Sequence, residues 1–198
     1  MTHRLLTVTI AAALIFANAP VVAVAEDVDP GEYQIVWHRD RTISIEADRD
    51  FYGEFRNWGY FSAFAVSQDA ATASWGWSAG KSNREFAQER ALAYCNEDLE
   101  EFGGQGPCVL YAEILPAPNS SVRILEGYTL SQIGSAGFDE YRAYDGTIYK
   151  AFAFSANGAW AWNSSNISQT DAERRTLESC ERYAEQTEDA YAPCRLAY

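Results

Sequence analysis

Two stretches of this 198-residue chain share one order of aromatic, small and cysteine residues. The matching positions lie 85 to 88 residues apart: residues 61–67 with 149–155, Trp75 with Trp160, and Cys95 with Cys180. A pattern that recurs at a nearly constant spacing is typical of a repeated structural unit. The sequence therefore predicts one unit used twice, in residues 26–113 and 121–198, with a linker over residues 114–120.

The four cysteines fall into two close pairs. Cys95 and Cys108 are 13 positions apart, and Cys180 and Cys194 are 14 positions apart. Four cysteines allow three pairings, and pairing within each repeat is the simplest of them. Neither pair forms a C-x-x-C motif, and no neighbouring histidine lowers a thiol pKa, so we expect disulfides rather than reactive thiols.

Residues 1–25 have the pattern of a signal peptide. A short basic start is followed by a long uncharged stretch, and an A-x-A cleavage pattern ends at Ala25. A membrane anchor is the alternative for this stretch. Because Asn18 and Pro20 interrupt it, we expect cleavage and a periplasmic or secreted protein, in a compartment where disulfides form.

The chain is strongly acidic. Fifteen Lys and Arg residues stand against 28 Asp and Glu residues, which gives a formal net charge of −13. Such a charge repels nucleic-acid phosphates and anionic membrane surfaces, and it speeds association with cationic proteins. We therefore expect no nucleic-acid partner and no membrane partner after signal cleavage. The scarcity of histidine and the expected disulfides also predict no metal site, and no other cofactor is expected.

Hydrophobic periodicity predicts an α+β fold with the order β-β-β-β-α-β in each repeat. The predicted strands are residues 33–37, 42–45, 61–67, 73–78 and 108–112 in the first repeat. In the second repeat the region of the first two strands is more polar, and the other three strands are residues 149–155, 159–163 and 194–198. Each helix is expected to start at a capping box, at Ser82 and at Thr170. Alternation along the strands places Ala63, Ala65 and Gly76 on one face, where we expect the helix to pack.

The opposite face of each predicted sheet carries large aromatic side chains. Four tryptophans are the candidates for binding residues: Trp75, Trp77, Trp160 and Trp162. Indole rings stack on sugar rings when they are exposed, and they form cores when they are buried. We expect these rings to be buried, either in a core or where the two repeats meet, with an open platform for glycans as the alternative.

These features together resemble a secreted bacterial family described as domain of unknown function 4189. The shared pattern lies in residues 64–67, 75–78, 87–95 and 108–109, and the resemblance covers residues 61–113 and again 149–198. The second repeat departs from it at Ala161, where the family has Gly, and at Arg195. The resemblance implies small exported proteins in two tandem copies. It implies no known activity, so no residue role is carried over.

No complete catalytic set is visible in the sequence. His38 is the only histidine that remains after signal cleavage, and we expect it at a strand end near water. The chain is therefore predicted to be a non-enzymatic exported protein that binds a cationic protein partner through an acidic surface, as an inhibitor or immunity protein does. Two alternatives remain open: a glycan or peptidoglycan binder that uses the paired tryptophans, and a cell-wall hydrolase with acidic catalytic residues.

Overall fold

The structure is a computed structural model that describes residues 33–38, 43–68, 73–118, 120, 123–125, 128–146, 149–187 and 191–197. The predicted signal peptide lies outside these residues. No helix within the described ranges is both long enough and apolar enough to cross a bilayer.

The first half of the chain forms a four-stranded antiparallel sheet with helices on both faces. Its elements are β1 (Tyr33–Trp37), α1 (Ile45–Gly53), a short 3-10 helix (Phe55–Asn57), β2 (Ser62–Ser67), β3 (Trp75–Ser78), α2 (Arg84–Glu101) and β4 (Cys108–Pro116). The strand order is β1-β4-β2-β3, and each neighbouring pair runs antiparallel.

The second half has the same order of elements after a short hairpin. Its elements are β5 (Ile124–Leu125), β6 (Tyr128–Thr129), α3 (Gln132–Ala143), β7 (Tyr149–Phe154), β8 (Trp160–Ser165), α4 (Gln169–Gln186) and β9 (Arg195–Ala197). Its main sheet has the order β8-β7-β9, which matches β3-β2-β4 of the first half. The predicted α+β class with antiparallel sheets is confirmed, and the arrangement fits two copies of one unit.

Both disulfides join the cysteines that the spacing predicts. Cys95 is bonded to Cys108, and Cys180 is bonded to Cys194. In each half the bond ties the helix on one sheet face to the chain at the start of the last strand. A closed loop of this size stabilises the fold by roughly 3 kcal/mol, mainly by restricting the unfolded chain.

The small-residue face of each sheet lies under a helix, as alternation predicts. Ala63 and Ala65 of β2 pack with Ala87 and Ala91 of α2 in one buried cluster. Gly76 of β3 is also beneath this helix. In the second half, Ala153 and Ala161 pack in the same way with Cys180 and Ala184.

The strand predicted over residues 42–45 is wrong: Thr42 lies outside the described residues, and residues 43–45 lead into a helix. Ser44 is the N-cap of α1, and its hydroxyl accepts a hydrogen bond from the amide of Ala47 at 3.1 Å. Ala47, Phe51 and Phe55 recur every fourth position and are buried against the large-residue face of the sheet. This helical period is stronger than the two-residue alternation of isoleucines that suggested a strand.

The predicted N-caps of α2 and α4 are displaced by one and two residues. Asn83, not Ser82, accepts the hydrogen bond from the amide of Phe86. Ser168, not Thr170, caps α4. Both helices are where the sequence predicts them, but several polar residues precede each one, and any of these can supply the capping oxygen.

The two halves contact each other where the loop between β3 and α2 meets the turn between β7 and β8. The amide of Ser82 donates to the carbonyl of Ala156 at 3.2 Å. Gly158 lies in the β7–β8 turn with φ +96°, and a Cβ at this position would overlap the carbonyl oxygen of Gly80. A close approach of two backbones therefore requires glycine at position 158.

Gly158→Ala is expected to weaken the contact between the halves. The substitution adds the strain of a positive φ and the overlap with Gly80, and together these cost about 2 kcal/mol of unfolding free energy. Gly106→Ala is the matched control, since Gly106 has φ +87° and open space around it. Urea denaturation that gives equal losses for the two variants contradicts a tight inter-half contact.

Candidate functional site

The two candidate tryptophans of the first half, Trp75 and Trp77, lie under α1 and its 3-10 extension. The indole nitrogen of Trp75 donates to the carboxylate of Asp50 at 2.9 Å. The ring of Trp77 lies 6.3 Å from that of Phe55 and 6.4 Å from that of Trp58, measured between centroids. Both tryptophans are half-buried.

The tryptophans of the second half lie under α3. Trp160 stacks on Phe152 with an interplanar angle of 9°, and its ring packs so closely on Gly137 that no Cβ would fit there. Trp162 lies 5.2 Å from the ring of Tyr144, which is 36% exposed. The predicted burial of these rings between the repeats is therefore wrong: in each half an additional helix of the same half covers them. Because the rings stay half-exposed, their binding role stays a prediction.

A buried carboxylate is the centre of a polar cluster that the sequence analysis missed. The side chain of Glu113 is 1% exposed. Arg84 donates to both of its oxygens, through Nε at 2.9 Å and through a terminal nitrogen at 2.7 Å. Gln88 donates to Oε1 at 2.8 Å, and the Nε2 atom of His38 lies 2.5 Å from Oε2.

Three elements place these side chains together. Glu113 lies in β4 between Ala112 and Ile114, which belong to the core beneath α1, so its own side chain points to the α2 face. Arg84 and Gln88 are four residues apart in the first turns of α2 and share one side of that helix. His38 directly follows β1, and its side chain is 31% exposed, which confirms the expected strand-end position near water.

The cluster holds Glu113 in its charged form. Burial alone raises the pKa of a carboxyl group, but the hydrogen bonds from Arg84, Gln88 and His38 outweigh it and lower the pKa of Glu113 below its ordinary value. The same hydrogen bond to Glu113 raises the pKa of the Arg84 guanidinium. Glu113 is therefore suited to orient its neighbours and not to donate a proton near neutral pH.

Glu113→Gln is expected to remove a pH-dependent part of the stability. A carboxyl whose pKa is lowered by folding stabilises the protein above its unfolded pKa, and this contribution is lost as the pH falls through its folded pKa. The variant should therefore be less stable by about 2 kcal/mol at neutral pH, and the difference should shrink below about pH 4. Thermal unfolding measured from neutral to acid pH checks this, and a pH-independent difference would count against it.

A second carboxyl group, Asp171, also has a lowered pKa. Hydrogen bonds from Ser165 and Arg174 cause this shift at the start of α4. A glycosidase needs one carboxylic acid with a raised pKa. Among the described residues, the pKa values of Glu113 and Asp171 are both shifted downward, so neither group supplies the acid that the hydrolase alternative needs.

The exposed side of α2 carries a band of carboxylates. We call it the acidic face of α2, and it consists of Glu85, Glu89, Glu97, Glu100 and Glu101, all exposed. The buried residues of the helix lie on the other side, against the sheet. Within the described ranges, the last four of these glutamates form no ion pair. The only arginines of the helix are engaged elsewhere: one binds Glu113, and the other lies over the ring of Tyr94.

The described part of the chain holds no group of three or more His, Cys, Asp or Glu side chains that could bind a metal ion. Comparison with protein-family models, with curated proteins and with solved structures found no match to this chain. The resemblance to the domain of unknown function 4189 therefore stays a prediction, and the function has to be inferred from the geometry of the chain itself.

Proposed function

We propose that this protein is an exported, non-enzymatic binding protein that engages a cationic protein partner through the acidic face of α2. The observation that carries the proposal is the position of this charge. Glu85 and Glu89, and likewise Glu97 and Glu101, are like-charged neighbours one helical turn apart. Such pairs destabilise a helix by a few tenths of a kcal/mol each.

The end of α2 adds a second unfavourable arrangement. Its last turn contains Glu100 and Glu101 and no basic residue. Carboxylates at a helix C-terminus lie near the negative end of the helix dipole. This repulsion destabilises the helix by about 0.3–1 kcal/mol per charge at low ionic strength. Charge that weakens its own helix and forms no ion pair within the described chain favours a role outside the fold, in binding a cationic surface.

The disulfides support export. Structural disulfides are common in oxidising compartments and rare in the cytosol. Cys95 and Cys180 are fully buried in the small-residue cores, where the bond serves packing. Together with the predicted signal peptide, they favour a periplasmic or secreted protein, where basic wall hydrolases and other cationic proteins are available as partners.

Binding to a basic probe protein tests the proposal. Egg-white lysozyme, a basic wall hydrolase, is passed over the immobilised protein at low and at high salt. We expect association at low salt, with an on-rate that falls steeply as salt screens the charges. The triple variant Glu89→Gln, Glu97→Gln, Glu101→Gln is expected to slow association on the order of tenfold.

The matched control removes the same amount of charge from the opposite sheet face. Its three substitutions, all at exposed positions of α1 or the residue after it, are Glu46→Gln, Asp48→Asn and Glu54→Gln. A binding surface on α2 predicts a much smaller effect of this control. Equal effects of the two triple variants, or no binding of lysozyme at low salt, would overturn the assignment of the surface.

A glycan ligand is the second candidate, because Trp162 lies beside the exposed ring of Tyr144. An aromatic pair of this kind can stack on a sugar ring. Titration with soluble peptidoglycan fragments should then change the tryptophan fluorescence, and Trp162→Ala should abolish the change. If fluorescence does not respond to the fragments, this second candidate is removed and the acidic face remains.

A further inference from the structure

Within the part of the chain that the structure describes, the outer edge of β1 presents backbone groups that no other strand pairs with. The amide of His38 donates to the carbonyl of Tyr111 in β4 at 2.9 Å. Because hydrogen-bonded and non-bonded pairs alternate along an antiparallel ladder, Val36 and Gln34 also direct their N–H and C=O groups to β4. Residues Tyr33, Ile35 and Trp37 then direct theirs outward.

The register supports this assignment. Tyr33 is opposite Pro116, which has no amide hydrogen to donate, as a non-bonded position requires. β1 is the terminal strand of its sheet. Within the described chain, no backbone hydrogen bond is found for the outward amides of Ile35 and Trp37.

β1 lacks the features that normally protect an edge strand. Natural edges carry lysine, proline or a bulge that prevents pairing with another chain. The five residues of β1 are Tyr, Gln, Ile, Val and Trp, and its register with β4 is continuous. It is therefore an uncharged strand in a chain whose formal net charge is −13.

Exposed apolar side chains lie at this edge and on the neighbouring helix. Trp37 at the end of β1 is 49% exposed and lies 5.1 Å from the buried ring of Phe51 in α1. Ile45 and Tyr52 are two turns apart on the same side of that helix and are 85% and 50% exposed. Large exposed apolar side chains beside an open strand edge are typical of an interface between proteins.

We propose that a second copy of this chain pairs with the β1 edge, antiparallel and across a two-fold axis that passes through Ile35. In this register Ile35 faces Ile35 of the partner subunit, and Tyr33 faces Trp37 of the partner subunit. Every outward N–H and C=O group of the three residues then finds a partner, and two aromatic cross-strand pairs form on one sheet face. The two sheets become one continuous sheet.

A second copy fits this edge better than the other occupants. Residues 26–32, which precede β1, include four carboxylates, a proline and a glycine, and such residues are poor strand formers. β1 has no carboxylate that would attract the basic side chains of a strand from a cationic partner. An identical strand matches β1 in length, and the two-fold register opposes its large apolar side chains to one another, Ile35 to Ile35 and Tyr33 to Trp37, so the edge is self-complementary as an isologous interface requires.

Salt should distinguish this interface from the binding of a cationic protein. Two copies carry charge of the same sign and repel each other, and added salt screens the repulsion. Dimerisation is therefore expected to become tighter with salt, whereas binding at the acidic face of α2 becomes weaker. The opposite salt dependences therefore allow the dimer and the proposed function to be tested separately.

Sedimentation velocity of the full chain over a range of concentrations, at low and high salt, measures the association. Ile35→Pro removes the outward N–H without removing a hydrogen bond to β4 and should weaken dimerisation on the order of tenfold or more. Ile35→Ala is the matched control: it truncates the same side chain but keeps the N–H, so it should still dimerise. A wild-type protein that stays monomeric at high concentration and high salt overturns the proposal.

Cross-linking gives a second readout if Ile35→Pro does not fold. Opposed residues of a hydrogen-bonded antiparallel pair have Cα atoms about 5.5 Å apart, within disulfide reach. Ile35→Cys should therefore form a covalent dimer under mild oxidation. Gln34→Cys is the control, because position 34 faces Val36 of the partner subunit and not itself. Equal cross-linking at positions 34 and 35 contradicts the two-fold register.

Discussion

Replacing Arg84 with alanine is expected to lower the free energy of unfolding by about 2–3 kcal/mol at neutral pH. The variant leaves the buried carboxylate of Glu113 without its bidentate cation. The loss lies at the low end for a broken buried pair, because Arg84 is half-exposed and because Gln88 and His38 still donate to Glu113. Urea denaturation monitored by circular dichroism measures the change.

Arg174→Ala is the matched control for this prediction. One terminal nitrogen of Arg174 donates to both oxygens of Glu178, and the other donates to Asp171, but this arginine lies on the exposed side of α4. Exposed ion pairs contribute little to stability, so this variant should unfold almost like the wild type. If both arginine variants lose the same stability, the burial of Glu113 is not what makes the cluster important.

Gly76→Ala is expected to destabilise the protein by about 3 kcal/mol or to prevent folding of the first half. A Cβ on Gly76 would collide with the amide nitrogen of Cys95 and would lie 2.7 Å from the Cβ of Tyr94. These atoms belong to α2, which the disulfide at Cys95 holds in place. The helix must therefore move away from β3 as a whole, and it loses its packing on the alanines of β2.

Gly53→Ala separates this clash from any general effect of adding a methyl group. Nothing lies within 4 Å of a Cβ on Gly53, which ends α1. Alanine is the better helix former, so this control should be neutral or slightly stabilising. The second half carries Ala161 in place of Gly76, so its helix–strand contact already accommodates a methyl group. Thermal unfolding that leaves Gly76→Ala as stable as the wild type would contradict the close packing of α2.

The parts of the fold that follow from local pattern could be predicted. The spacing of the cysteines indicates Cys95–Cys108 and Cys180–Cys194, and the alternation of Ala63 and Ala65 with large residues indicates which face the helix covers. The disulfide pairing depends on cysteines that are close in the chain, and the assignment of the helix face depends on the two-residue alternation within one strand. These features can be predicted because the disulfides and the alanine contacts are both made within one repeat unit.

α1 escaped prediction because its local pattern is ambiguous. Ile43 and Ile45 alternate with polar residues as a strand does, but Ile45 is 85% exposed in the structure. The decisive residues are Ala47 and Phe51, whose burial depends on a sheet formed by residues far along the chain. Without α1 and α3, the sequence predicts that the other repeat covers the tryptophans, whereas these two helices cover them in the structure.

The cluster around Glu113 could not be found from spacing alone. His38 is 75 positions from Glu113, and Arg84 is 29 positions from it. No local motif links positions so far apart. The register of β1 with β4 brings His38 to Glu113, and the packing of α2 on the sheet brings Arg84 there. One signal was available: Glu113 interrupts an otherwise apolar strand, and a carboxylate in such a place requires buried partners.

Both crosslinks are local, and this governs how the molecule responds to proteolysis. Neither bond spans the stretch between Cys108 and Cys180, so a single backbone cut there leaves no covalent connection between the two halves. A molecule cut before Ala156 would then be held together by non-covalent contacts, including the hydrogen bond from Ser82 to Ala156. A nicked sample should accordingly run as two fragments on a denaturing gel without any reductant.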